Sequence, residues 1–91
     1  GLVVAIIVID VETGKLMAAP EIISRGFIYM RDSEELIHET VAMLTEEAQK
    51  FEGAHKSEYS AIKNGIRQRL KSLLKSKTKR TPMLLPIILE I

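Results

Sequence analysis

The sequence predicts a two-layer α+β domain in the order β-β-α-α-β, a three-stranded mixed sheet with two antiparallel helices on one face. Three observations lead there. Residues 2–9 (LVVAIIVI) and 83–91 (MLLPIILEI) are apolar at nearly every position, and short runs without polar alternation read as strands covered on both faces. Between them lie two apolar stripes at helical spacing, separated by a short connection after Gly53. Two helices of about 20 residues can cover one face of such a sheet but not both. The second face is therefore expected to meet another subunit or domain.

In chain order, the first strand runs from Leu2 to Ile9 or Asp10, and 11–15 (VETGK) is a turn with Gly14 where positive φ is needed. A second strand is predicted from Lys15 to Ala19, forming a hairpin with the first. Pro20 interrupts it, and 21–30 reads as an irregular, bulged continuation broken at Arg25-Gly26. Asp32 and Glu35 have capping-box spacing and open a helix with Ile37, Val41, Leu44, Ala48 and Phe51 as its stripe, ended by Gly53. Ser57 is the expected cap of the next helix, whose stripe is Ile62, Ile66, Leu70, Leu73 and Leu74 and which ends near Ser76 or Lys77. Thr81-Pro82 stops helical continuation, because proline disfavours a helical residue before it. The most evenly apolar strand, the first, takes the centre of the sheet. After two antiparallel helices the last strand returns parallel to it.

Ninety-one residues suit one domain, 1–91. With no cysteine there is neither a disulfide framework nor a thiolate metal site. The longest apolar run is too short to span a bilayer, and a start on Gly1 rather than Met, with no signal-like segment, is expected of an excised domain. The net charge of +1 hides a division: 32–52 holds seven acids and one base, 56–80 nine bases and one acid. Such segments attract each other or present opposite charge to partners.

Residues suited to catalysis are sparse. His38, with Glu34 and Glu35 one turn before it, has the spacing of a partial metal site but equally that of a solvated helix face. His55 reads as a loop residue, and Asp10 and Glu12 as turn residues. No phosphate loop, nucleophile elbow or metal-ligand motif is present. The expectation is no catalytic residue and no metal ligand in this chain. The basic segment says more. Lys63, Arg67, Lys71 and Lys75 recur every four residues along one helix face, and Lys77, Lys79 and Arg80 continue past its end. Part of that cluster complements the helix dipole, and all of it is suited to an RNA phosphate backbone. The aromatic residues are too scattered for a base-stacking platform.

Two stretches are more specific: 23–31, ISRGFIYMR, and 77–88, KTKRTPMLLPII. With the VVAIIVID start, they make the whole chain resemble the C-terminal domain of bacterial ribonuclease J. The resemblance implies a larger cytoplasmic hydrolase of RNA maturation and decay. Its metallo-β-lactamase core carries a β-CASP insertion and uses two zinc ions for 5′-to-3′ exonucleolytic and endonucleolytic cleavage. It also implies that the C-terminal domain supports oligomer assembly and full activity. The HxHxDH-type metal motif is absent here, so no catalytic position carries over and no cofactor is expected in this domain. Ser24, Arg25, Gly26, Pro82 and Pro86 are the motif residues given structural roles. The expected partners are a second copy or the parent's catalytic domains, with RNA as the alternative and no membrane. Leu2, Val4, Ile6, Val8, Leu84 and Ile88 are assigned to the assembly face, although periodicity leaves open which alternate set the helices cover.

Overall fold

The computed structural model describes all 91 residues. Its elements are β1 (Leu2–Ile9), β2 (Glu21–Arg25), the single turn α1 (Ile28–Arg31), α2 (Glu34–Ala48), α3 (Tyr59–Thr78) and β3 (Met83–Glu90). Short 3₁₀ turns at Gln49–Phe51 and Lys56–Glu58 flank the link between the long helices. The sheet order is β2-β1-β3, with β1 antiparallel to β2 and parallel to β3. This is the predicted mixed sheet with the first strand in the centre and two long helices on one face.

The route between β1 and β2 differs from expectation. Residues 15–19 form no strand, and only an isolated bridge joins Leu16 to Ile9. The Asp10 Oδ1 accepts from the backbone N–H groups of Glu12 and Thr13, both at 2.8 Å, closing a turn that folds the chain back onto β1. Asp10 N–H then donates to the Lys15 carbonyl and Met17 N–H to the Val8 carbonyl, both at 2.8 Å, and the chain leaves β1 after Met17, ahead of Pro20. Pairing resumes at Glu21, past Pro20. The stretch expected as a bulged strand is then split: β2 ends at Arg25, Gly26 turns with φ +68°, and α1 follows.

Two helix starts also shift. Ser33, not Asp32, caps α2, its Oγ accepting from the Leu36 N–H at 3.1 Å. Asp32 instead pairs with Arg31 at 3.0 Å. His55, not Ser57, caps the turn leading into α3. Its Nδ1 accepts from the Ser57 N–H at 3.2 Å, and Glu58 closes the reciprocal bond to the His55 N–H. At the far end α3 runs to Thr78 and stops at Lys79, which takes the left-handed conformation at φ 62°.

The core is one contiguous cluster between the helices and one sheet face. Val3, Ala5, Ile7 and Ile9 of β1 are fully buried. They meet Leu36, Met43, Leu44 and Ala48 of α2, Phe51 beyond it, and Ile66, Leu70 and Leu74 of α3. The α2 stripe is rotated from the predicted one: Leu36 and Met43 are buried, while Ile37 and Val41 are half-buried. Thr40 sits in this core because its hydroxyl donates to the Leu36 carbonyl at 2.7 Å. Opposite charge also joins the helices. Arg69 reaches Glu46 at 3.0 Å and Glu47 at 3.8 Å, and Lys77 reaches Glu39 at 3.1 Å. The exposed pairs, Arg69–Glu46 and Lys77–Glu39, contribute only about 0–1 kcal/mol each, so they set helix pairing more than stability; Glu47 is buried.

Candidate functional site

Register decides which side chains the bare face presents. Leu2 stands beside Met83, Val4 beside Leu85, Ile6 beside Ile87 and Val8 beside Leu89. Side chains in register on neighbouring strands share a face, so the odd-numbered residues of β3 join the even-numbered residues of β1. Ile23 of β2 adds to the Val4–Leu85 row. The surface is apolar along both long strands; Met83, Leu85, Leu89 and Ile23 are exposed, Met83 at 72%, while Leu2, Val4, Ile6, Val8 and Ile87 are half-buried.

The expected set needs one correction. Leu2, Val4, Ile6 and Val8 lie on the helix-free face, but Leu84 and Ile88 do not; they pack against the core on the helix side, as does buried Pro86. The even–even set mixed two faces, because a parallel partner offset by an odd number of residues shifts the parity. The residues that belong in their place are Met83, Leu85 and Ile87, and the signal that finds them is the pairing of Leu2 with Met83.

Charge appears on this face only at its β2 margin. Glu21 stands beside Ile6 and Arg25 beside Leu2. Neither forms an ion pair, and the Arg25 guanidinium donates to the adjacent Ser24 carbonyl at 3.2 Å. Ser24 Oγ donates to the Phe27 carbonyl at 3.2 Å across the Gly26 turn, so Ser24 and Gly26 shape the exit from β2. Pro82 is buried where the chain enters β3.

The basic row lies elsewhere. Lys63, Arg67 and Lys71, with Ser60, Asn64 and Gln68, form one wall of an open groove; 81–86 at the edge of β3 forms the other. Lys63, Arg67, Lys71, Lys75, Lys79 and Arg80 are exposed and make no ion pair, whereas Lys77 is tied to Glu39. The structure thus brings Lys63, Arg67 and Lys71 together along the groove and sets Lys77 apart. Arg69, outside the predicted row, faces α2, and its hydrogen bond to Glu46 holds its pKa above the ordinary value.

Nowhere in the chain do three His, Cys, Asp or Glu side chains converge as a metal site needs. His38, Glu34 and Glu35 are all exposed, and His55 is occupied as a cap. The residues present therefore do not fit the zinc pair that the resemblance assigns to the larger enzyme. No helix is long and apolar enough to cross a membrane.

Comparison with known proteins adds the larger context. The family described as Ribonuclease J C-terminal domain matches residues 1–91. A protein named Ribonuclease J 2 from Staphylococcus aureus (strain NCTC 8325 / PS 47) is 37% identical over 91 residues, which is 100% of this chain and 16% of that protein. A protein of the same name from Staphylococcus epidermidis (strain ATCC 12228 / FDA PCI 1200) is likewise 37% identical over 91 residues, with the same coverage of 100% and 16%. The chain thus spans only 16% of the length of these curated relatives.

Proposed function

The chain belongs to the ribonuclease J C-terminal domain family, and from that premise we propose that it is the non-catalytic assembly module of a larger ribonuclease J-like enzyme of RNA maturation and decay. In this reading the zinc-dependent chemistry resides in the catalytic body, which works in the cytoplasm, and this domain supports oligomer assembly and full activity. The observation that carries it is the helix-free sheet face. Leu2, Val4, Ile6, Met83, Leu85 and Ile87 form one apolar surface with no helix over it. Burying a large apolar side chain contributes about 1.5–3 kcal/mol. Covering several of them offers enough to offset the entropy cost of association.

The test is Leu85→Asp in the full-length parent. Leu85 is exposed here, so the substitution leaves the core intact. The expected result is a smaller species in sedimentation and reduced cleavage of 5′-monophosphorylated RNA. Unchanged sedimentation together with unchanged cleavage would overturn the assembly reading.

A second reading has its own observation. Lys63, Arg67 and Lys71 are unpaired cations along one groove, an arrangement suited to the backbone of single-stranded RNA. The two surfaces meet along β3, where Met83 and Leu85 border both the groove and the apolar face.

A further inference from the structure

The two edges of the sheet are not equivalent. Met83 N–H donates to the Gly1 carbonyl at 2.8 Å, Ile91 N–H to the Ile9 carbonyl at 3.0 Å, and Val11 N–H to the Ile91 carbonyl at 2.9 Å. These bonds commit the odd-numbered backbone groups of β1 and β3 to each other. The even-numbered groups of β3 therefore point away from the sheet, and one of these residues is Pro86, which has no N–H. The outer edge of β3 is thus interrupted as a template for a further strand.

β2 has no such block. The even-numbered groups of β1 serve β2, so Arg25, Ile23 and Glu21, its partners in register, spend their backbone groups inward. Those of Ile22 and Ser24 point outward. The only bond found on that edge is the one from the Arg25 side chain to the Ser24 carbonyl. The strand reads EIISR, and its chemistry is self-complementary about Ile23: an acid two residues before it, a base two residues after.

We propose that a second copy of this chain joins through the free edge of β2, antiparallel about Ile23, so that Glu21 of each copy pairs with Arg25 of the other. The backbone supports that register. With the two Ile23 residues opposite each other on the two-fold axis, Ile22 and Ser24 exchange N–H···O=C bonds with Ser24 and Ile22 of the second copy. Ile23 and the Glu21–Arg25 pairs occupy the non-hydrogen-bonded sites, where side chains come closest. Isologous pairing satisfies both charges twice. Within one chain they cannot meet, since four residues of strand separate them by about 13 Å. The product is a six-stranded sheet with helices on one side and a doubled apolar face on the other. The proposal shares with the assembly reading only the premise that the domain self-associates; it uses an edge rather than the face, so the two fail separately.

The experiment uses the 91-residue chain with circular dichroism as a check on folding, and the same substitutions in the full-length parent. The chain has no cysteine, so Ile23→Cys introduces a single thiol on the proposed axis and is expected to form a disulfide-linked dimer under mild oxidation. Val4→Cys, at the centre of the face, is expected not to; efficient linkage there with none at position 23 would mean face-to-face stacking and overturn the edge proposal. Glu21→Arg or Arg25→Glu alone is expected to weaken self-association roughly tenfold. The double variant restores it, and mixing the two single variants gives a heterodimer. A folded wild-type chain that remains monomeric, or a double reversal no better than the single ones, would also refute it.

Discussion

Gly14 and Gly26 both take positive φ, at +77° and +68°, yet they are not equally replaceable. A Cβ on Gly14 would fall inside the van der Waals envelope of the Phe51 carbonyl, with the Glu52 backbone just behind. This is where the turn after β1 is clamped to the link between the long helices, Gly53 N–H donating to the Thr13 carbonyl at 3.1 Å. Gly14→Ala is therefore expected to cost more than about 3 kcal/mol, since left-handed strain adds to displaced backbone. On Gly26 the nearest atom would be the Gly1 Cα at 3.6 Å, so Gly26→Ala is expected to cost only the strain, about 1–2 kcal/mol. Denaturant melts of both variants check the order; an equal loss would contradict the close approach at Gly14. Asp10 supports the same turn. Backbone N–H groups of Thr13 and Glu12 hold its carboxyl below the ordinary aspartate pKa. A depressed folded-state pKa gives stability that is present above the unfolded value and lost as pH falls through the folded one. Asp10→Asn is thus expected to lower the melting temperature at neutral pH. The gap from wild type should close as pH drops below about 4; a gap constant down to strong acid would contradict the carboxylate's role.

Among the elements, α3 carries two kinds of information on two faces. Ile66, Leu70 and Leu74 are buried at four-residue intervals, a stripe legible directly from the sequence because packing follows helical periodicity. The basic face was legible too, but its partition was not: whether a lysine is tied to a carboxylate depends on which helix lies opposite. Lys77 has Glu39, while Lys63, Arg67 and Lys71 have no carboxylate partner and face the β3 edge, Arg67 donating to Asn64 Oδ1 at 3.2 Å. If those three contact RNA phosphates, reversing them to Glu in the parent is expected to weaken RNA binding steeply at low salt and less as salt rises, because each phosphate contact acts through counterion release. An equal loss at every salt concentration would point to altered assembly instead. The caps were misread for a local reason. Asp32 and Ser33 are both competent caps, and the choice turns on backbone angles that residue type does not determine; His55, outside the usual cap residues, takes the place expected of Ser57. The expected hairpin strand at 15–19 shrinks to one bridge at Leu16, since Pro20 has no N–H to give a continuing ladder.

At the scale of the molecule, the layer architecture followed from counting apolar faces, and the sheet order from placing the most apolar strand in the centre. What periodicity could not supply was parity. Shifting one strand by one residue exchanges its faces, and only the pairing of Leu2 with Met83 shows that Leu85 and Ile87 are outside while Leu84 and Ile88 are inside. Two adjacent isoleucines now distinguish the faces. Ile7 is fully buried beneath the helices; Ile6 lies between Ile87 and Glu21 on the helix-free side. An unpaired carboxylate at position 7 would be buried without compensation, which costs several kcal/mol and exceeds what a domain of this size commonly has to spare. At position 6 the carboxylate remains open to water in the monomer and is desolvated only when the face is covered. Ile7→Asp is therefore expected to lose its helical circular dichroism. Ile6→Asp is expected to keep it and to lose whatever association the face provides, measured by sedimentation alongside wild type. Because Ile6 lies one strand in from the β2 edge, Ile6→Asp also separates the two surfaces: crosslinking through Ile23→Cys should survive it if the edge acts alone. If both variants unfold, the helix-free face is part of the stabilising core rather than a surface held ready for a partner.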